Sequence, residues 1–151
     1  MKLFLLTHQK ELHRKTNTGA LALELLGHDV EVILWERPKP NKKLLDYIEQ
    51  GKTALLYPHE KSETLAETID YEAYILIDST WQEAQKIYNQ SPYLHDIPCI
   101  NIQRDKKSVY SLRRNQKESG LCTAEIIIEV LKNKSMFDKA ERLEKMLNDF
   151  I

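Results

Sequence analysis

Short apolar runs alternate along this chain with stretches whose apolar residues recur every three or four positions. The apolar runs are rich in Leu, Ile and Val, as is typical of strands buried on both faces of a sheet. They occupy residues 2–6, 30–35, 53–57, 74–77 and 97–102. The stretches with helical spacing predict helices. These cover residues 20–26, 42–50, 81–88, 123–132 and 135–150, with a short helical turn near 62–69.

Two glycines mark the ends of the first two predicted helices. Gly27 and Gly51 each follow the last residue of a helical stretch, which is a helix-stop signal. The alternation of strands and helices predicts a single α/β domain over residues 1–151, with a mostly parallel sheet and helices on both of its faces. The last helix carries an apolar stripe that should dock on this domain, formed by Phe137, Ala140, Leu143, Met146, Leu147 and Phe150.

Composition narrows the classes of function. The chain has 151 residues and a formal net charge of −1, so any nucleic-acid site must be a local positive patch. The first apolar run is too short for a signal peptide or a membrane span. Cys99 and Cys122 lie far apart and form no metal-binding or disulfide pattern. We therefore expect a cytoplasmic protein with no metal, no membrane association and no obligate protein partner.

The most informative segment, residues 75–85, runs from an apolar strand directly into a helix. Asp78 lies at the carboxyl end of the predicted strand, and Thr80 and Glu83 have the spacing of a capping box that starts a helix at Trp81. Ligands of open α/β sheets bind outside the carboxyl ends of the strands. Asp78 is therefore a candidate functional residue, although Asp78 and Thr80 are equally suited to capping the helix and nothing more.

A polar segment, residues 8–21, joins the first predicted strand to the first predicted helix. Asn17 or Thr16 is expected to cap that helix. Polar residues that cluster in such a connection, among them His8 and Arg14, often carry function. An ordinary solvated loop is the alternative interpretation.

Two further segments have simple structural interpretations. In residues 120–125, Thr123 is expected to cap a helix and Glu125 to lie near the positive helix end. Backbone N–H groups at such a helix start can also hold a ligand carboxylate. Residues 55–58 end a strand with a Tyr-Pro pair, which commonly stops a strand.

These four segments together resemble the DTW-domain family, and they occur in the family's order over roughly positions 8 to 125. Residues 91–94, which follow the Asp78 segment, and residues 108–114, which precede residues 120–125, are part of the same resemblance. Asp78-Ser79-Thr80-Trp81 resembles the Asp-x-Trp core, with Ser79 where Gly is usual. Many members also carry a cysteine-rich segment at the N-terminus, which this sequence lacks. The family is related to SPOUT-like knotted transferases. The resemblance therefore implies a trefoil knot near the carboxyl half.

The resemblance also implies a reaction, the transfer of the 3-amino-3-carboxypropyl group of S-adenosylmethionine to N3 of a uridine in tRNA. Asp78 would act as the base or orient the uracil N3–H. The donor would contact backbone N–H groups at helix starts and apolar walls, here Thr18, Tyr57, Pro58, Thr80, Ile100, Tyr110 and Thr123. The residues expected to contact the RNA are His8, Glu11, Arg14, Trp81, Arg113 and Arg114.

Several alternatives stay open on the sequence. Trp81 and Tyr110 are aromatic platforms on which an exposed uracil can stack, but Trp81 is equally suited to the core. The basic clusters around Arg14 and Arg113 either contact phosphates or form solvated faces. A SPOUT-type RNA methyltransferase and a non-catalytic RNA-binding module are the rival functions. The sequence does not identify the tRNA or the uridine.

Overall fold

The computed structural model describes residues 1–9, 18–57, 63–64, 71–102 and 122–150. The strands in these residues are β1 (Lys2–Thr7), β2 (Val30–Leu34), β3 (Thr53–Leu56), β4 (Glu63–Thr64), β5 (Ala73–Asp78) and β6 (Cys99–Asn101). The α-helices are α1 (Gly19–Leu26), α2 (Lys42–Gln50), α3 (Trp81–Asn89), α4 (Thr123–Asn133) and α5 (Phe137–Phe150).

The strands form one sheet in the order β2-β1-β5-β3-β6-β4, and every neighbouring pair is parallel. Thr7 of β1 is level with both Leu34 of β2 and Asp78 of β5. Leu56 of β3 is level with Ile100 of β6. Because all strands point the same way, their carboxyl ends lie along one side of the sheet, which we call the carboxyl edge. Asp78 lies on it, between the ends of β1 and β3.

Helices cover both faces of the sheet, as the hydrophobic pattern predicts. Successive residues of β1 alternate between the two cores, with Leu3 and Leu5 on one face and Phe4 and Leu6 on the other. The first core contains apolar residues of α1, α4 and α5, and the second contains residues of α2 and α3. This arrangement confirms the predicted α/β class with a parallel sheet.

The backbone conformation explains where several helices start and stop. Gly27 (φ 55°) and Gly51 (φ 94°) close α1 and α2 with positive φ angles, which confirms both predicted stops. Ser135 also has a positive φ, 61°, which is incompatible with a right-handed helix. The last helix therefore begins at Phe137 instead of at residue 135.

Of two further predictions, one is wrong in part and the other stays a prediction. The helical turn expected near 62–69 is wrong for Glu63–Thr64, because these residues pair with β6 as a strand, and the rest of that turn lies outside the described residues. The trefoil knot and the SPOUT-like fold stay predictions, since the chain between β6 and α4 passes through residues 103–121, outside the described residues. In the described part of the chain, no helix has the length and apolar character needed to cross a membrane.

Candidate active site at the carboxyl edge

Asp78 is a buried acidic residue at the carboxyl end of β5. Only 4% of the residue is exposed. The Thr123 hydroxyl, on the first residue of α4, donates a hydrogen bond of 2.6 Å to Asp78 Oδ1. A buried carboxylate is costly unless it accepts hydrogen bonds, so this contact helps to keep the acid at the edge of the sheet. The bond also joins two of the sequence segments that resemble the DTW family.

Thr18 joins a third segment to the same place. Its Oγ1 accepts a hydrogen bond of 3.0 Å from the backbone N–H of Ala124, the second residue of α4. Thr18 is the N-cap residue of α1, while Asn17 and Thr16, the caps expected from the sequence, lie outside the described residues. The side chain of Thr18 makes no capping bond within α1, because the hydroxyl is used to hold α4 instead.

The start of α4 has a capping box that includes a cysteine. Cys122 is the N-cap residue, its sulfur accepts from the backbone N–H of Glu125, and its own N–H donates to Glu125 Oε1 over 3.0 Å. Thr123 is therefore the first helical residue, and the prediction that it caps the helix is wrong. Glu125 lies near the positive end of the helix, as predicted, and it is also completely buried.

The Cys122 thiol is unsuited to nucleophilic chemistry. Burial, together with the negative charge of Glu125, raises the pKa of Cys122 to about 12. The thiol is consequently neutral at physiological pH, whereas reactive cysteines are those with lowered pKa values. Cys122 serves as part of a helix cap.

The start of α3 confirms the predicted capping box. The backbone N–H of Glu83 donates to Thr80 Oγ1, and the backbone N–H of Thr80 donates to Glu83 Oε1, each over 3.3 Å. The N–H groups of Glu83, Ala124 and Cys122 are thus already bonded within the protein. The predicted contact of a donor carboxylate with N–H groups at these helix starts stays a prediction, and the N–H groups already bonded within the protein are not candidates for it.

His8 lies beside Asp78, because it follows Thr7, the residue of β1 that pairs with Asp78. Its side chain is 21% exposed, and its Nδ1 is 3.4 Å from Glu83 Oε2. The imidazole also stacks against the indole of Trp35, with 6.2 Å between ring centroids. His8 is therefore held from two sides at the carboxyl edge.

Sequence reasoning missed the residues that hold His8. Trp35 donates a hydrogen bond of 2.9 Å from Nε1 to Ser91 Oγ, which fixes the indole against the imidazole. A signal for Trp35 was present, since an aromatic residue at the end of β2 must lie at the same edge as the end of β1 in a parallel sheet. Glu83 was identified as a helix cap alone. No sequence pattern predicts the contact between the second carboxylate oxygen of Glu83 and His8.

Tyr57 and Ile100 lie on opposite faces of the sheet. The Tyr57 ring stacks on Tyr88 of α3, with centroids 4.5 Å apart, and burial raises the pKa of the Tyr57 hydroxyl. Ile100 is completely buried in the core on the other face. The backbone N–H of Tyr57 donates to the Ile100 carbonyl over 3.1 Å. The two side chains therefore belong to different cores, and their predicted contacts with the donor stay predictions.

The predicted site residues fall into two linked groups and a remainder. Thr18, Asp78 and Thr123 are joined through the start of α4, while His8 and Thr80 both contact Glu83. Trp81 begins α3, and its side chain is not among the described parts of the structure. The predictions that lie outside the described residues concern Glu11, Arg14, Pro58, Tyr110, Arg113 and Arg114. No cluster of three or more His, Cys, Asp or Glu side chains suited to a metal occurs among the described residues.

Fold and edge together define a parallel α/β protein whose polar residues converge where such sheets bind ligands. The DTW domain model matches residues 1–151, and the chain belongs to the DTW domain family. It is 30% identical over 139 residues to tRNA-uridine aminocarboxypropyltransferase 2 of Drosophila melanogaster. The match covers 86% of this chain and 55% of that protein, so the chain spans about half the length of this relative. No solved structure gives a significant match.

Proposed function

We propose that this protein transfers the 3-amino-3-carboxypropyl group of S-adenosylmethionine to N3 of a uridine in tRNA. The observation that carries the proposal is the junction at Asp78, where Thr123 bonds the carboxylate and Thr18 bonds the neighbouring residue of α4. Three segments typical of the family thereby meet at one buried acid. The relative named for this activity supports the choice of reaction.

The reaction needs a group that handles the uracil N3 proton. S-adenosylmethionine supplies a carbon activated by a sulfonium. The N3–C bond forms as the C–S bond breaks, methylthioadenosine leaves with the bonding electrons, and the N3 proton must be removed. Asp78 is the candidate that accepts this proton or orients the N3–H. Its burial keeps bulk water away from the carboxylate, which strengthens its interaction with a polar or cationic partner.

The charge at the carboxyl edge suits the proposed donor. S-adenosylmethionine carries a sulfonium, an ammonium and a carboxylate, so its net charge is positive. Asp78 at the end of β5 attracts a cation to the crevice where parallel α/β sheets bind ligands. We propose that the donor lies along this edge, with backbone N–H groups near Thr18, Thr80 and Thr123 close to its polar groups and Tyr57 with Pro58 close to its apolar part.

The tRNA would approach the same edge. His8 lies next to Asp78 in the register and is partly exposed, which suits a contact with the uridine or its phosphate. Glu11, Arg14, Arg113 and Arg114 complete the proposed contacts with RNA, and Trp81 or Tyr110 would provide the stacking platform for the extruded base.

Nucleoside mass spectrometry tests the proposal. Unmodified tRNA is incubated with the purified protein and S-adenosylmethionine, and both the nucleosides and the small-molecule product are identified. Aminocarboxypropyluridine together with methylthioadenosine is the expected result. A methylated nucleoside with S-adenosylhomocysteine would replace the proposal with methyl transfer. tRNA binding without any binding of the donor would contradict an enzymatic role and favour a non-catalytic RNA-binding module.

A further inference from the structure

We propose that Thr123 is a positioning residue whose hydroxyl fixes the orientation of the Asp78 carboxylate for catalysis. The proposal rests on the function proposed above. The 2.6 Å separation between Thr123 Oγ1 and Asp78 Oδ1 is in the range of hydrogen bonds to ionised carboxylates. A carboxylate at the end of a strand can rotate about its side-chain torsions, and a hydrogen bond to one oxygen restricts that rotation. The direction in which Asp78 presents its lone pairs then depends on Thr123.

The start of α4 is built to hold Thr123 in place. The residue before it is the cap that bonds Glu125, and the residue after it donates its N–H to Thr18. Thr123 is also β-branched, so few side-chain rotamers are open to it in a helix. Beyond this turn, Ile127, Ile128 and Leu131 anchor α4 in the core. The hydroxyl is therefore delivered from a rigid element, as positioning groups require.

Thr53 provides a matched control at the edge of the sheet opposite to the carboxyl edge. It begins β3, and its hydroxyl donates to the Tyr47 carbonyl over 3.0 Å. Thr53 and Thr123 thus both use a hydroxyl to bond an oxygen of another element, but only Thr123 reaches the proposed catalytic acid. Replacement of either residue by valine removes the hydroxyl at nearly constant shape.

Kinetics of three variants test the positioning role. In Thr123→Val we expect kcat to fall by between about 10- and 100-fold, with the KM for S-adenosylmethionine changed by less than about twofold, because misplacement of a reacting group affects the chemical step. Thr123→Ser should restore most of the lost kcat, and Thr53→Val should have the kcat of the wild type. Wild-type kcat in Thr123→Val, or equal losses in Thr123→Val and Thr123→Ser, would overturn the proposal.

A thermal unfolding cycle separates failure of this inference from failure of the proposed function. Thr123→Val should lower the Tm by several degrees in the wild-type background and by much less in an Asp78→Ala background, because the bond is already lost there. Equal shifts in the two backgrounds would show that the bond is absent and would overturn the positioning role, whatever the enzyme transfers. A wild-type protein that shows the coupling but transfers no aminocarboxypropyl group would contradict the proposed reaction, and with it the role of Thr123 in that reaction.

Discussion

The starts of α3 and α4 make an instructive pair, because both lie at the carboxyl edge and both are closed by a capping box. At α3 the box consists of Thr80, which is exposed, and Glu83. At α4 it consists of Cys122 and Glu125, and Glu125 is completely buried. The same local motif is therefore placed in two different environments within one site.

The two helix starts also differ in what they hold. The capping box of α3 bonds backbone N–H groups of its own first turn, and one carboxylate oxygen of Glu83 contacts His8. The start of α4 is bonded to Thr18 and to Asp78, so its position determines the arrangement of residues distant in the sequence. We infer that the start of α4 holds distant residues of the candidate site together, whereas the start of α3 contributes residues to the site without linking distant segments. Four predictions test this difference.

The largest effect is expected at the residue that links the two helix starts. Asp78→Asn keeps the shape of the side chain and removes its charge, so turnover should fall by about 100- to 10,000-fold, the range that a general base contributes. The fold should persist, as judged by circular dichroism. Turnover by this variant at the wild-type rate would remove Asp78 from the mechanism.

The next effect is on stability, at the buried box of α4. Glu125→Ala leaves the N–H of Cys122 without its partner and opens space in the core, so the free energy of unfolding should fall by about 2–4 kcal/mol. Urea unfolding measures this value. A loss below about 1 kcal/mol would mean that the buried capping box stabilises the protein no more than an ordinary surface cap does.

The equivalent change at α3 should cost less. Glu83→Ala removes one half of a partly exposed capping box and the contact with His8, and we expect a loss of about 0.5–1 kcal/mol in the same urea experiment. The comparison between the two helix starts fails if this loss equals or exceeds the loss in Glu125→Ala.

An effect similar in size to the loss in Glu83→Ala is a pH dependence that belongs to Cys122. Folding raises the pKa of this thiol from 9.0 to about 12, so the unfolded chain loses the thiol proton first as the pH rises. The contribution to stability is complete below pH 9 and declines as the pH rises toward 12. Between pH 8 and 10, the wild type should lose about 1 kcal/mol more than Cys122→Ala. Parallel stability curves for the two proteins would contradict the raised pKa.

The sequence predicted the elements of the fold well where the signals were local. Apolar runs and the glycines after α1 and α2 define most of the strands and helices, because burial on both faces and positive φ angles leave direct traces in the residue types. The start of α5 was misplaced since Ser135 adopts a positive φ that its residue type does not announce. The strand at Glu63–Thr64 was missed because two residues carry no measurable period.

Parts of the candidate site were predictable for the same reason. The box of Thr80 and Glu83 is a local pattern, and the structure has it as expected. The roles of Thr18 and Thr123 are not local, since each hydroxyl bonds a residue more than 40 positions away, 106 positions in one case and 45 in the other. Threonine is a residue type typical of helix caps. Only the packing of α4 against the sheet shows that the two hydroxyls form hydrogen bonds with other elements.

A structure of the protein with S-adenosylmethionine and a uridine-containing oligonucleotide would test the central claim most directly. The account predicts that both bind at the carboxyl edge, with the uracil N3 within hydrogen-bond distance of Asp78 and the start of α4 unmoved. Density for the donor on another side of the sheet, or a uracil remote from Asp78, would contradict it.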